Sequence, residues 1–268
     1  MQKGNCLIIQ GGYVLSNSLV VFSAHAADFC SRAGGTIIKH IDKGHTVHII
    51  DLTFGETGES AQYWNSTANP NVEDCKKIRR NEAEKAAAVM GATIEFMDYD
   101  DYPLIITRGR IKELSFKIQK LRPEIILTHW DKDPFNEDHA TTARAVIRAV
   151  TCATVPGNQP GIKPCIFPDI FFFESSVPYT EFNEFRIDHY IDITDVYDRK
   201  VKALQCFTIQ PFLVEFYEKY ALQRAAQAAG WTKNNNIIYA EGFKRFVPWV
   251  GDIFPQRKMN HFPPIHSL

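Results

Sequence analysis

SLVVFSAHAADFCSRAGGTIIKHIDKGHTVHIID, Ser18 to Asp51, decides the fold. SLVVFSA is a short run rich in β-branched and apolar residues, as a buried strand requires. AGGTIIKHIDKG carries apolar residues at helical spacing, and HTVHIIDLTFG returns to the strand pattern. Strand, helix and strand in this order predict a parallel pair joined by a crossover helix. In the turn after the first strand stand His25 and Asp28, separated by Ala26 and Ala27. A histidine and an aspartate at a strand end look like metal ligands, yet alanine stands where a hydrolytic site would want a carboxylate.

The pattern continues outward from this unit. VEDCKKIRRNEAEKAAAVMGA is rich in good helix formers and closes at Gly91. TIEFMDYDDYPL reads as a strand running into an acidic turn, RIKELSFKIQKL as an amphipathic helix, EIILTH after Pro123 as a strand and HATTARAVIRAVTCA as a helix. The predicted fold class is therefore α/β, a Rossmann-like, mostly parallel sheet with helices on both faces and an elaborated C-terminal part. In that part VPGNQPGIKPCIFP is a Pro/Gly-rich connection, expected as a wall or lid. IFFFES and HYIDIT read as strands, DVYDRKVKALQCF and FLVEFYEKYALQRAAQAA as helices, and the tail HFPPIHSL as irregular. With no repeat, low-complexity tract or clear linker, residues 1–268 are expected to form one domain.

Composition narrows the function classes. Apolar residues make up 45% of the 268 residues and charged residues 23%, as in a soluble globular protein. A net charge of −1 provides no general field for nucleic acid or an anionic membrane, so neither is an expected partner. No apolar run approaches the length of a membrane span, and MQKGNCLIIQGGY lacks the pattern of a signal peptide. The six cysteines are scattered without a C-x-x-C pair, which points to reduced thiols and a cytoplasmic location. A homo-oligomer is expected.

Three predicted strand ends carry unusual polar residues, and in open α/β sheets ligands gather there. The first has His25 and Asp28. The second, TFGETGES, has Glu56 and Glu59. The fourth, THWDKDPFNEDH, ends in Asp138 and His139. Two imidazoles and a carboxylate form a common ligand set for catalytic zinc. Singly, each residue has a duller reading: Asp138 as a helix cap, Glu56 and Glu59 as solvated turn residues, Arg79, Arg80 and Glu82 as an exposed helical face. Their convergence at successive strand ends favours one divalent metal ion.

AHAADF, AGGTI, TFGETG, RRNEAEKAAAVMGA and FNEDH fall in the order and spacing of the PIG-L/LmbE-type family, which the chain resembles from about Ser18 to Phe243. YIDITDVYDRKVKALQCFTIQ and YAEGF add to the resemblance. Members of that family are zinc-dependent N-deacetylases with a Rossmann-like fold. The resemblance implies His25, Asp28 and His139 as zinc ligands. It also implies two losses: Ala27 occupies the position of the family's general base, and Asn136 that of its histidine acid. Amide hydrolysis needs both a base for water and an acid for the leaving amine, so simple deacetylation is not expected.

SAHAADF, RAGG, FGETGES, DYPL, DPFNEDH, ALQRAAQA and YAEGF further resemble a branch of the family, the 4-oxalomesaconate hydratases of protocatechuate and gallate breakdown. Hydration of a polarised C=C bond has no leaving amine, so the missing pair is dispensable. The expected substrate is a small anionic carboxylate, recognised by arginine forks at Arg32, Arg79 and Arg224. Glu59 and Glu56 are the candidates for acid–base work, Glu59 preferred because it belongs to the hydratase-like GES. Asp138 is expected to orient a ligand histidine, and His129 to be an acid–base helper or a structural histidine. Glu174, Ser175 and Ser176 supply no obvious second acid–base residue. The competing readings are a deacetylase with a relocated base such as Glu56, and a non-catalytic protein that binds a carboxylate through its metal.

Overall fold

The computed structural model describes residues 9–10, 13–14, 18–177 and 183–253. The tail HFPPIHSL and Cys6 lie outside the described residues. After a short antiparallel pair, Ile9–Gln10 with Tyr13–Val14, the chain enters a seven-stranded sheet. Its strands are β1 (Ser18–Ser23), β2 (Thr46–Asp51), β3 (Thr93–Phe96), β4 (Ile125–Thr128), β5 (Asp169–Phe173), β6 (His189–Asp192) and β7 (Ala240–Arg245). The helices used below are α1 (Asp28–Asp42), α2 (Ala61–Ser66), α3 (Val72–Met90), α4 (Arg108–Leu121), α5 (Glu137–Ala153), α6 (Tyr197–Leu204) and α7 (Leu213–Thr232).

The spatial order is β3-β2-β1-β4-β5-β7-β6. β3 to β5 run parallel, β7 pairs antiparallel with β5, and β6 antiparallel with β7. β1 is central: Val20 pairs with His48 of β2 on one side and Ile126 of β4 on the other. Its alternating side chains feed both layers. Leu19 and Val21 join the cluster beneath α1, α3 and α6, while Val20 and Phe22 join the one beneath α4 and α5. Burying each such side chain contributes roughly 1.5–3 kcal/mol, which locks the register of β1. Because the chain leaves β1 toward β2 and returns at β4 on the other side, β1 and β4 flank the switch point where ligands bind in such sheets.

Two local expectations change, and one strand forms that was not expected. α1 starts at Asp28, ahead of the AGGTI where the sequence pattern begins the helix, so Arg32 lies in its first turns. Gly35 is inside the helix because a Cβ there would lie 2.7 Å from Ile193, so the close approach of α1 to that segment demands glycine. The segment 155–168 is neither wall nor lid. Arg122 holds the carbonyls of Lys163 and Pro164 next to the start of β4, at the opposite end of the sheet from His25. β7, across AEGFKR, forms a strand that its alternation did not announce, carried by its place between β5 and β6. No helix among the described residues is long and apolar enough to cross a membrane. Cys30, Cys75, Cys152, Cys165 and Cys206 are free thiols.

Candidate active site

The carboxyl ends of β1, β2 and β4 bring His25, Asp28, Glu59 and His139 together, with one ligand atom from each lying within 4.8 Å of the others. His25 Nδ1 is 3.3 Å from His139 Nε2, 3.4 Å from Asp28 Oδ2 and 3.2 Å from Glu59 Oε1. His139 Nε2 is 3.5 Å from Asp28 Oδ2 and 3.7 Å from Glu59 Oε1. Local chain chemistry explains the convergence. The His25 N–H donates to Asp28 Oδ2 at 2.8 Å, tying both ligand candidates into one turn. Gly55, at φ 69°, sits where a Cβ would lie 3.1 Å from that of His25, so only glycine lets the turn carrying Glu59 close over the histidine.

Each histidine is held from behind by a carboxylate. His25 Nε2 faces Asp138 Oδ2 at 3.3 Å, and His139 Nδ1 faces Asp133 Oδ2 at 3.0 Å. This turns His25 Nδ1 and His139 Nε2 toward each other as the two ring atoms placed to ligate a metal ion. Asp138 thus stands behind His25 and is itself fixed by the N–H groups of Tyr102 and Leu104. It does not cap α5; that is done by Asn136, whose side chain accepts from Asp138 N. Two facing imidazole nitrogens and two carboxylates, all oriented, fit a divalent metal ion with borderline donor preference.

The electrostatics agree. Burial opposes ionisation of Glu59, but His25 outweighs it and holds the carboxyl down at about 2. Burial would likewise raise Asp28, yet His139 leads a set of neighbours that holds it well below the ordinary range. Burial would lower His25, and Glu59 with Asp138 and Asp28 raises it well above instead. The group is a pocket of fixed negative charge that calls for a cation. Glu59 keeps 17% of its side chain exposed whereas His25 is sealed, so the open side of the group lies at Glu59.

The remaining candidates separate. His129 Nε2 accepts the Ala24 N–H at 2.9 Å, and its ring stacks on His139 at 4.0 Å. Burial, then His139, lowers its pKa to about 3. Its Nε2 also lies 3.3 Å from Asp28 Oδ2, which places the ring against the metal group. Glu56 is buried outside the group, accepting from Phe54 N and facing Lys76 at 3.5 Å. Arg79 is not at the site either. It is fully buried, donates to Phe54 O and pairs with Glu82 at 3.0 Å, so the i,i+3 pair exists but is sealed rather than exposed.

Arg32 does reach the site. Its Nη1 is 3.3 Å from Asp28 Oδ1, and its other contacts are neutral oxygens: Glu174 O, Ser31 Oγ, Tyr217 Oη and Ser176 Oγ. It lines a cavity of about 30 Å³ together with Glu174, Ser175, Ser176, Tyr217 and Arg224. Arg224 lines the same cavity, but its Nε donates to both Glu174 oxygens, at 2.9 and 3.0 Å. Its fork is already occupied by a carboxylate, so Arg224 is a wall and not a free clamp. Sequence reasoning missed Asp133, although it stands inside the quoted DKDPFNEDH. It also missed Ser176, whose N–H and hydroxyl both reach Asp133, and Glu59 as a member of the metal group.

Comparison with known proteins agrees with this geometry. The family model for GlcNAc-PI de-N-acetylase (PIG-L) matches residues 20–150. A curated 4-oxalmesaconate hydratase of Pseudomonas putida KT2440 is 40% identical over 236 residues, covering 87% of this chain and 90% of that protein. A probable N-acetyl-alpha-D-glucosaminyl L-malate deacetylase 2 of Bacillus cereus is 31% identical over 144 residues, 50% of this chain and 60% of that protein. Among solved structures, GalB, the 4-carboxy-2-hydroxymuconate hydratase of Pseudomonas putida KT2440, is 39% identical and superimposes with a TM-score of 0.84, covering 89% of this chain and 99% of that one. The chain belongs to the PIG-L family.

Proposed function

We propose that this PIG-L family member is a zinc-dependent hydro-lyase that adds water to the C=C bond of an unsaturated oxo-tricarboxylate, 4-oxalomesaconate, in the breakdown of protocatechuate and gallate. One observation carries the reading. At the two positions where the deacetylases keep their base and acid, the chain has Ala27, buried in the apolar core, and Asn136, whose amide donates to Glu59 Oε1 at 3.4 Å. The deacetylase pair is gone, and the residue in the acid's place now steadies a different carboxylate. The hydratase from Pseudomonas putida supports the same activity through its similarity along most of the chain. The free, scattered thiols suit a reducing cytoplasm.

His25, Asp28 and His139 would hold the zinc. When bound, the ion supplies electrophilic polarisation of a substrate oxygen and lowers the pKa of water. The chain's own residues account for the rest. Glu59, ionised at neutral pH and turned to the open side, takes a proton from water as its oxygen bonds to one alkene carbon. The other alkene carbon receives that proton from Glu59, which restores the carboxylate and completes the addition with no group expelled. Arg32, whose cation meets neutral oxygens on its cavity side, pairs with a substrate carboxylate. Asp133 and Asp138 hold the imidazoles in place throughout.

The test is loss of 4-oxalomesaconate absorbance with the zinc-loaded protein, beside amine release from N-acetylglucosamine derivatives. Hydration without amine release is expected. Amine release without hydration would establish the deacetylase reading, and carboxylate binding with neither reaction would establish a binding protein.

A further inference from the structure

Between β3 and α4 the chain crosses the mouth of the metal group, and Tyr102 sits there in an unusual state. Its φ is +43°, a conformation that a bulky residue adopts only when its surroundings impose it. Two neighbouring segments impose it. The Tyr102 N–H donates to Asp138 Oδ2 at 2.9 Å, the same oxygen that faces His25. The preceding Asp101 accepts the N–H groups of Thr57 and Gly58, the latter at 2.8 Å, and so binds the crossing to the turn that carries Glu59. The ring is thereby laid beside His25, with centroids 5.7 Å apart and planes 28° from parallel. It also lies against Gly58 so closely that a Cβ there would be 2.0 Å from the ring carbons.

This apparatus holds a ring that remains 45% exposed. The backbone hydrogen bonds and the contact with Gly58 fix the ring's place while leaving one face open beside His25. The placement suits a partner that is absent from the apolar core: a flat molecule entering beside His25 and Glu59. We propose that Tyr102 is a specificity-determining wall of the site, its ring receiving the planar conjugated face of an unsaturated oxo acid in preference to a saturated chain. Aromatic faces and conjugated planes prefer offset stacking, whereas a saturated chain offers no such plane. The inference rests on the hydratase reading and adds to it a reason why substrates flat about a C=C bond are selected. Burial, then the charge of Glu59, pushes the phenol up to about 12, so the wall stays uncharged over the working range.

Binding of cis,cis-muconate and of adipate, its saturated counterpart, to the zinc-loaded protein measures the wall by calorimetry without turnover. The wild type is expected to prefer muconate by roughly three- to tenfold. Tyr102→Ala should abolish that preference with zinc content intact, and Tyr102→Phe should recover most of it. Gly58→Ala, which displaces the ring without altering Tyr102, should act like Tyr102→Ala and serves if that variant does not fold. A wild type without preference, or a Tyr102→Ala protein that keeps it, overturns the proposal. Failure of the hydratase reading is seen separately, as absence of 4-oxalomesaconate turnover by the wild type.

Discussion

At the carboxyl end of the sheet, His25 and His139 turn ring nitrogens toward each other at 3.3 Å; at the amino end, His40 and His45 do the same at 3.5 Å. The pairs look alike as distances and differ in everything behind them. His25 and His139 are buried, each has a carboxylate on its rear nitrogen, and Asp28 and Glu59 face them from the front. His40 and His45 are half-buried, their neighbour Lys43 is a cation, and burial with His45 and Lys43 lowers His40 to about 4. His25 is set to gather positive charge and His40 to shed it. Proximity of imidazoles is cheap in a folded chain; oriented rings and compensating carboxylates make a site.

The largest expected effect tests that contrast directly. His139→Ala should lose most bound zinc and lower hydration by at least about a thousandfold, while His45→Ala leaves both unchanged. Full zinc content in His139→Ala, measured by elemental analysis, would remove it from the ligand set. Next, Glu59→Gln should keep its zinc and lose roughly a hundredfold or more in kcat, as expected of an acid–base group. If the zinc leaves with the charge, Glu59 is a ligand instead.

The rear carboxylates come third. Asp133→Asn should cost roughly ten- to a hundredfold in metal affinity, read by competition with a chelator; unaltered affinity would mean that the orientation of His139 is set by packing alone. Arg32→Ala is expected to raise KM roughly tenfold, by loss of a charge-assisted contact, with zinc retained. An unchanged KM takes Arg32 out of substrate recognition.

The smallest effect belongs to the amino end. The folded pKa of His40 lies below the roughly 6.5 of an unfolded histidine. Between the two values the unfolded chain binds more protons, so stability falls as the pH drops from about 6.5 toward about 4. His40→Gln should flatten that part of the stability profile, measured by urea unfolding, without touching activity. An identical profile would show that His40 is free to protonate in the folded state.

Local pattern sufficed for the parallel half of the sheet, for the helices around it and for three members of the metal group. β1 buries both faces and must be continuously apolar, the helices must repeat at their own period, and ligands at strand ends stand beside signals that the backbone itself creates. The resemblance of AHAADF and FNEDH to one family then assigned roles to positions that periodicity could only locate. None of this reaches contacts made across the fold. Asp133 behind His139, Glu174 on Arg224, Asn136 on Glu59 and Tyr102 over Gly58 depend on which loops the sheet order brings together. The same holds for residues that lie outside the group. Arg79 and Glu56 have side chains suited to catalysis, but Glu82 and the Phe54 N–H already engage them. A side chain's chemistry is written in the sequence; whether its donors and acceptors are still free is decided by what the chain folds against them.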